Sequence, residues 1–131
     1  MAPIPATHAD LLTKRSFAHV ATLNADGSPQ VTPVWVDFDG TNVLINTARG
    51  RVKARNLARE PRVALSIADP DNPYRYLGIQ GRVVEMTEAG GDAHIDKMAK
   101  KYLGRDTYPF RRPGERRVIV KIAPEKIHTN G

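Results

Sequence analysis

The chain contains no cysteine, which removes disulfides, thiolate nucleophiles and cysteine-ligated metals together. Aromatic residues make up only 6% of it. Sequence-tolerant single-strand binders stack bases on aromatics beside a basic groove, so this thin supply argues against nucleic acid. No KGFGFV-like RNA-recognition signature occurs either. No apolar run approaches the ~20 residues that cross a bilayer. The opening segment MAPIPATHADLL lacks a basic region followed by an apolar stretch, so no secretory signal is expected and the expected location is the cytoplasm. His8, His19, His94 and His128 are scattered, without the carboxylate spacing of a metal site. Ser16, Ser28 and Ser66 have no nucleophile-elbow context, which sets covalent hydrolysis aside.

Positive charge, by contrast, is in excess. The net charge is +6 and the pI about 9.9. That surplus favours anionic partners without choosing among nucleic acid, lipid headgroups and phosphorylated cofactors. A length of 131 residues implies one domain, with a real core but with surface to gain by pairing with a second copy.

Periodicity and turn residues lay out the elements. Thr7 is a candidate cap for a helix reaching about Lys14, with Leu11 and Leu12 turned inward. Strands are expected at Ser16–Leu23, Gln30–Phe38 and Asn42–Thr47, the last two joined at Asp39-Gly40. A helix follows from about Arg51 to Arg59 and stops before Pro61. Arg62–Ala68 reads as a strand, DPDNPY as a loop, and Arg75–Met86 as a long strand whose two glycines suggest a bend or close backbone approach. Between Glu88 and Leu103, Ile95, Met98, Ala99, Tyr102 and Leu103 repeat at helical spacing. GRDTYPFRRPG is irregular, and ERRVIVKIAPEKIHT closes with a strand and a terminal extension. The pattern predicts a mainly β protein with helices (α+β), a barrel decorated by helices.

The segment NTARGRVKARNLARE, Asn46 to Glu60, is the densest run of positive charge: Arg49, Arg51, Lys53, Arg55 and Arg59 stand against Glu60 alone. A strand end, a turn with Gly50 and a helix start meet here. Free backbone amides at a helix N-terminus attract phosphate. Cations in a first turn oppose the helix dipole by roughly 0.3–1 kcal/mol each, so Arg51 and Lys53 are misplaced unless an anion joins them. Arg51, Arg55 and Arg59 also share one face, where like charges repel. A solvated basic helix is the competing reading, because no Gly-rich P-loop or Rossmann motif is present.

LINTARGRVKARNLAREPRVAL, preceded by GSPQVTPVWVDFDG and followed by a Tyr-bearing loop and GRVVE, resembles the pyridoxamine 5′-phosphate oxidase-like split β-barrel family. Within it, the chain is most similar to the flavin/deazaflavin oxidoreductases that use coenzyme F420. The likeness runs from about Leu11 to Ile122. It implies an FMN-binding-like split barrel and a homodimer whose two cofactor sites are each built from both subunits. Thr47 and the backbone at Ala48 would meet the cofactor's side chain. Arg51, Val52 and Lys53 would surround the phosphate, with Arg51 and Lys53 holding it and Asn56 supporting the helix end. Gln30, Thr32, Pro33, Val34 and Trp35 would lie beside the ring system. Tyr74, Arg75 and Tyr76 would arrive from the partner subunit. The pyridoxamine phosphate oxidases proper carry a longer C-terminal substrate segment, whereas this sequence stops at KIHTNG, so pyridoxal phosphate synthesis is not expected.

The implied chemistry is hydride transfer from C5 of reduced deazaflavin to a conjugated acceptor such as a quinone, an enone or biliverdin, a task that needs no protein nucleophile. FMN-dependent reduction or oxidation on the same barrel, and non-catalytic cofactor carriage, are the alternatives. Other residues have two readings each. His19, mid-strand, is expected to be packed and hydrogen-bonded. Trp35, the sole tryptophan, suits either core packing or ring stacking. Tyr74-Arg75-Tyr76 suits ligand stacking or loop anchoring. Arg111, Arg112, Arg116 and Arg117 are either solvated or receive a cofactor's acidic tail.

Overall fold

Seven stretches of alternating apolar residues pair into one antiparallel sheet in a computed structural model that describes residues 2–131. The strands are β1 (Phe17–Leu23), β2 (Pro29–Trp35), β3 (Asp37–Phe38), β4 (Val43–Ala48), β5 (Arg62–Asp69), β6 (Asn72–Thr87) and β7 (Arg117–Asn130). Helix α1 (Val52–Arg59) joins β4 to β5, and α2 (Gly91–Leu103) follows β6. Inward residues such as Val20, Ile45, Ile67, Leu77, Val120 and Ile122 fill the core.

The sheet order β2-β1-β5-β6-β7-β4-β3 puts β2 and β3 at opposite edges, yet only Val36 separates them along the chain. The sheet therefore curls until its edges meet: a split half-barrel with Val36 at the seam. The single strand expected over Gln30–Phe38 is consequently two. β2 pairs with β1 and β3 with β4, and the backbone must bend between them. Val36 takes its hydrogen bonds from α2 instead of a ladder. Its N–H donates to the Tyr102 hydroxyl at 3.0 Å, and its carbonyl accepts from Lys101 Nζ at 2.6 Å.

Other expectations shift as well. The N-terminal helix is a 3-10 turn, Ala9–Leu12, because Thr7 Oγ1 turns to His8 Nδ1 (2.9 Å) instead of capping. Leu11 and Leu12 are fully buried, as expected. The DPDNPY loop contracts to a tight turn. β6 starts already at Asn72, opposite Asp69 of β5, and from Tyr76, opposite Asn130, β7 supplies a second ladder. The expected terminal extension is thus ladder. His19 is exposed and not packed, because the two-residue strand period turns Ala18 and Val20 into the core and His19 out. The bend expected at the β6 glycines occurs as a register shift between Gln80 and Gly81.

Candidate functional site

The turn from β4 into α1 ends at Arg51, whose extended backbone (φ −73°, ψ 152°) caps the helix without a side-chain hydrogen bond. No acid occupies the first turn. β7 starts beside this turn, with Arg117 in register with Ala48. The two-residue period then puts Asn46, Ala48 and Arg117 on one face, which α2 covers closely. A Cβ on Gly91 would sit 2.4 Å from the Arg117 carbonyl, so only glycine lets the α2 N-terminus rest there.

These elements enclose a cleft of about 170 Å³. Its polar wall carries Asn46, Arg51, Lys53 and Arg117; Pro33, Val34 and Trp35 of β2 line it with Phe17. Ile95 of α2 and the connector residues Tyr108 and Phe110 complete it. Phe17 and Phe110 are 50% and 63% exposed, so the rim offers two bare aromatic faces.

The cations are unevenly neutralised. Arg117 is buried, donating Nε to Glu115 at 2.7 Å and lying 4.7 Å from the Tyr108 ring centroid. The other Glu115 oxygen stands 3.7 Å from Arg51 Nη2, so one carboxylate serves two guanidiniums. Lys53 has no such partner among the described residues. Burial first, and then the neighbouring Arg51 and Arg117, pull its ammonium below the ordinary lysine range. A half-buried ammonium beside two guanidiniums that share one carboxylate leaves positive charge in the cleft that an anion can meet. Among the described residues, no group of three or more His, Asp or Glu could hold a metal.

The connector between α2 and β7 is tied over this cleft. Asp96 accepts from the Tyr108 N–H at 2.8 Å and from Arg111 at 2.6 Å, and Asp92 also meets Arg111, at 3.0 Å. Beneath it Trp35 stacks on Tyr102 and meets the edge of Tyr108.

Of the residues singled out in the sequence, Pro33, Val34, Trp35, Arg51 and Lys53 converge on the cleft. Asn56 is buried away from it. Its amide donates to Thr22 Oγ1 (3.0 Å) and Asn24 Oδ1 (2.9 Å), which pins α1 to β1. Gln30 accepts from Thr22 at 3.3 Å. Thr32 and Thr47 bear buried hydroxyls without partners, and Val52 is exposed. Tyr74, Arg75 and Tyr76 are strand residues near the far end of β7 from Arg117. Arg75 is spent within the chain on Asp69 (2.8 Å), Asp10 (2.5 Å) and the Thr7 carbonyl (2.7 Å). Arg117, which the sequence places in the second basic cluster, joins the first here, and Asn46, Phe17, Ile95, Tyr108 and Phe110 line the cleft without a functional signal in the sequence. The alternation through β4 marks Asn46, but the connector's aromatics carry no periodic signal.

The sequence matches the Pyridoxamine 5′-phosphate oxidase family over residues 4–131. It is 32% identical over 120 residues to the F420H(2)-dependent biliverdin reductase of Mycobacterium tuberculosis (strain CDC 1551 / Oshkosh), covering 88% of this chain and 80% of that one. A solved F420 reductase superposes with a TM-score of 0.84 at 33% identity, over 95% of this chain and 98% of the other. The heme storage protein HutZ of Vibrio cholerae shares the fold, with a TM-score of 0.67 at 16% identity over 93% and 91%.

Proposed function

Because this chain belongs to the pyridoxamine 5′-phosphate oxidase family, we propose that it is an F420-dependent reductase acting on a conjugated organic acceptor. The observation that carries the reading is Lys53: a half-buried ammonium with no counter-ion among the described residues, facing the same cleft as Arg51 and Arg117. A phosphate diester supplies the missing charge, and the amides at the α1 N-terminus add donors to it.

When bound, the reduced deazaflavin supplies a hydride. The chain's own share is placement. Arg51, Lys53 and Arg117 fix the anionic arm. Pro33, Val34 and Trp35 border the ring, and the Phe17 and Phe110 faces receive a flat acceptor of the quinone, enone or tetrapyrrole kind. The relatives' names support F420 over FMN, as does the surplus of arginine, since F420 carries an acidic tail that Arg112 and Arg116 can meet.

The reading includes a homodimer. The outer face of the sheet exposes Val31 and holds a cleft of about 400 Å³ lined by Ala21, Leu23, Pro29, Val63 and Ala64. Covering such a surface is what a second copy does, and a second copy is the route by which Tyr74 and Tyr76 reach the cofactor site. Among the described residues, no helix is long and apolar enough to cross a membrane, and we place the reductase in the cytoplasm.

Titration of the purified protein with F420 and with FMN tests the cofactor. F420 fluorescence is expected to quench at micromolar protein while FMN emission stays nearly unchanged; the reverse result makes the protein an FMN enzyme. Mixing with reduced F420 and a panel of quinones, enones and biliverdin tests turnover. Oxidation no faster than the protein-free control makes it a cofactor carrier. Sedimentation settles the dimer.

A further inference from the structure

One wall of the cleft is organised by three side chains that lie outside the basic cluster. Asn46, on β4, lines the cleft beside Arg51 and Lys53. Its amide nitrogen donates to the Gly91 carbonyl at 3.0 Å and meets His94 Nδ1 at 3.1 Å. The far ring nitrogen, His94 Nε2, stands 3.1 Å from Asp37 Oδ2, which also receives Lys97 Nζ at 3.2 Å. A third bond to Asp37 comes from the Phe38 N–H at 2.9 Å. His94 is 9% exposed.

The hydrogens in this chain are determined by elimination. The Gly91 carbonyl only accepts, so the Asn46 atom facing it is the NH₂ group. The second hydrogen of that group points to His94 Nδ1, which therefore carries the ring's lone pair. Nε2 carries the ring hydrogen and donates it to Asp37. With both amide hydrogens committed, the carboxamide oxygen of Asn46 is left over, and it is buried without a partner. An unmet buried acceptor is costly, and a ligand hydrogen-bond donor removes that cost.

We propose that Asn46 is a ligand-recognition residue of the cleft and that His94 and Asp37 are the positioning residues that keep its oxygen, not its NH₂, free for the ligand. The group recognised is an N–H or O–H donor on the heterocycle, such as the imide N–H of a pyrimidinedione ring. This rests on the cofactor reading above and deepens it: the cations hold the anionic arm without regard to ring chemistry, whereas Asn46 discriminates ring edges that offer a donor from those that do not. A ring with an acceptor at that edge would meet the oxygen lone pairs, and His94 prevents the amide from turning over to accommodate it.

Equilibrium titration with F420, read through Trp35 fluorescence, tests the relay on three single variants and one double. Asn46→Ala is expected to weaken binding about five- to tenfold, the scale of one hydrogen bond. His94→Leu should weaken it by a similar factor, and Asn46→Ala/His94→Leu no more than Asn46→Ala alone, because one residue acts through the other. His94→Asn, which restores an acceptor toward Asn46, should recover most of the affinity. Binding of wild-type strength by a folded His94→Leu, or additive losses in the double variant, overturns the proposal alone. Failure of the wild-type protein to bind either F420 or FMN overturns the cofactor reading and the proposal with it. If His94→Leu does not fold, nitrogen NMR of the wild-type imidazole decides: the hydrogen is expected on Nε2, and a hydrogen on Nδ1 overturns the relay.

Discussion

Trp35 and Tyr102 stack with ring centroids 5.1 Å apart and planes 8° from parallel, so the sole tryptophan of the chain forms the floor of the cleft upon a residue of α2. A heterocycle entering the cleft comes within reach of that indole. Trp35 emission is therefore expected to fall on cofactor binding, with the same midpoint as the quenching of the cofactor's own fluorescence. Unequal midpoints would place the ligand elsewhere.

Tyr102 also closes the seam. Its hydroxyl donates to the Ser16 carbonyl at 2.5 Å and accepts from the Val36 N–H at 3.0 Å. Tyr102→Phe strands both buried backbone groups and is expected to cost about 1–3 kcal/mol. Urea unfolding measures it; a loss below roughly 0.5 kcal/mol, the scale of surface substitutions, would mean the seam has other support.

Burial, first of all, pushes the Tyr102 hydroxyl up to about 12 from 10.0. The folded protein thus keeps this proton where the unfolded chain has lost it. Stability from this group is complete below pH 10 and falls as pH rises from about 10 to 12. Lys101 complicates the approach to this window, since burial pulls its ammonium down to about 8. Comparing wild type with Tyr102→Phe cancels that contribution. The gap between their stabilities should narrow across the alkaline window, and a constant gap contradicts the shift.

Lys53 has the opposite sign. A lysine whose folded pKa is lowered destabilises the fold while charged, and the penalty lifts as pH rises through the lowered value. Lys53→Met should raise the melting temperature of the cofactor-free protein at neutral pH while weakening F420 binding by about 1–3 kcal/mol. The affinity of the wild type should decline with rising pH before that of a protein with an unperturbed lysine. A variant that both melts lower and binds normally would make Lys53 structural.

Glu115 joins buried Arg117 to half-exposed Arg51, with side-chain exposures of 8% for the carboxylate and 3% for Arg117. Glu115→Ala leaves the Arg117 charge buried and unpaired, at a cost of about 3–5 kcal/mol. Bound cofactor should return part of that loss, because its phosphate replaces the missing carboxylate. Thermal shift with and without F420 measures both effects, and the ligand-induced shift is expected to be larger in the variant.

Legibility of this molecule in its sequence follows the range of each signal. Two-residue alternation along VATL, VLIN and VALSIA places the barrel strands, and the 3.6-residue repeat from Ile95 to Tyr102 places α2. The basic turn from Ala48 to Lys53 is visible because a cation in a first helical turn is locally unfavourable. What stayed hidden is set by distance along the chain. Val36 reads as ordinary strand until the seam divides β2 from β3. Asn46 gains its role from His94 and Gly91, 48 and 45 residues onward. Asn72 to Tyr74 read as loop because Pro70 and Asp71 precede them, whereas the hairpin pairing of Asn72 with Asp69 draws them into β6.

The seam at Val36 bears on how the chain reaches its final form. The bonds that join the two sheet edges span 65 and 66 positions and draw on Lys101 and Tyr102. Until a nascent polypeptide includes Lys101 and Tyr102, nothing locks β2 to β3, and their open edges are a template for another molecule. Closure is accordingly a late event, and ribosome-bound fragments ending before Tyr102 are the species most in need of protection from self-association.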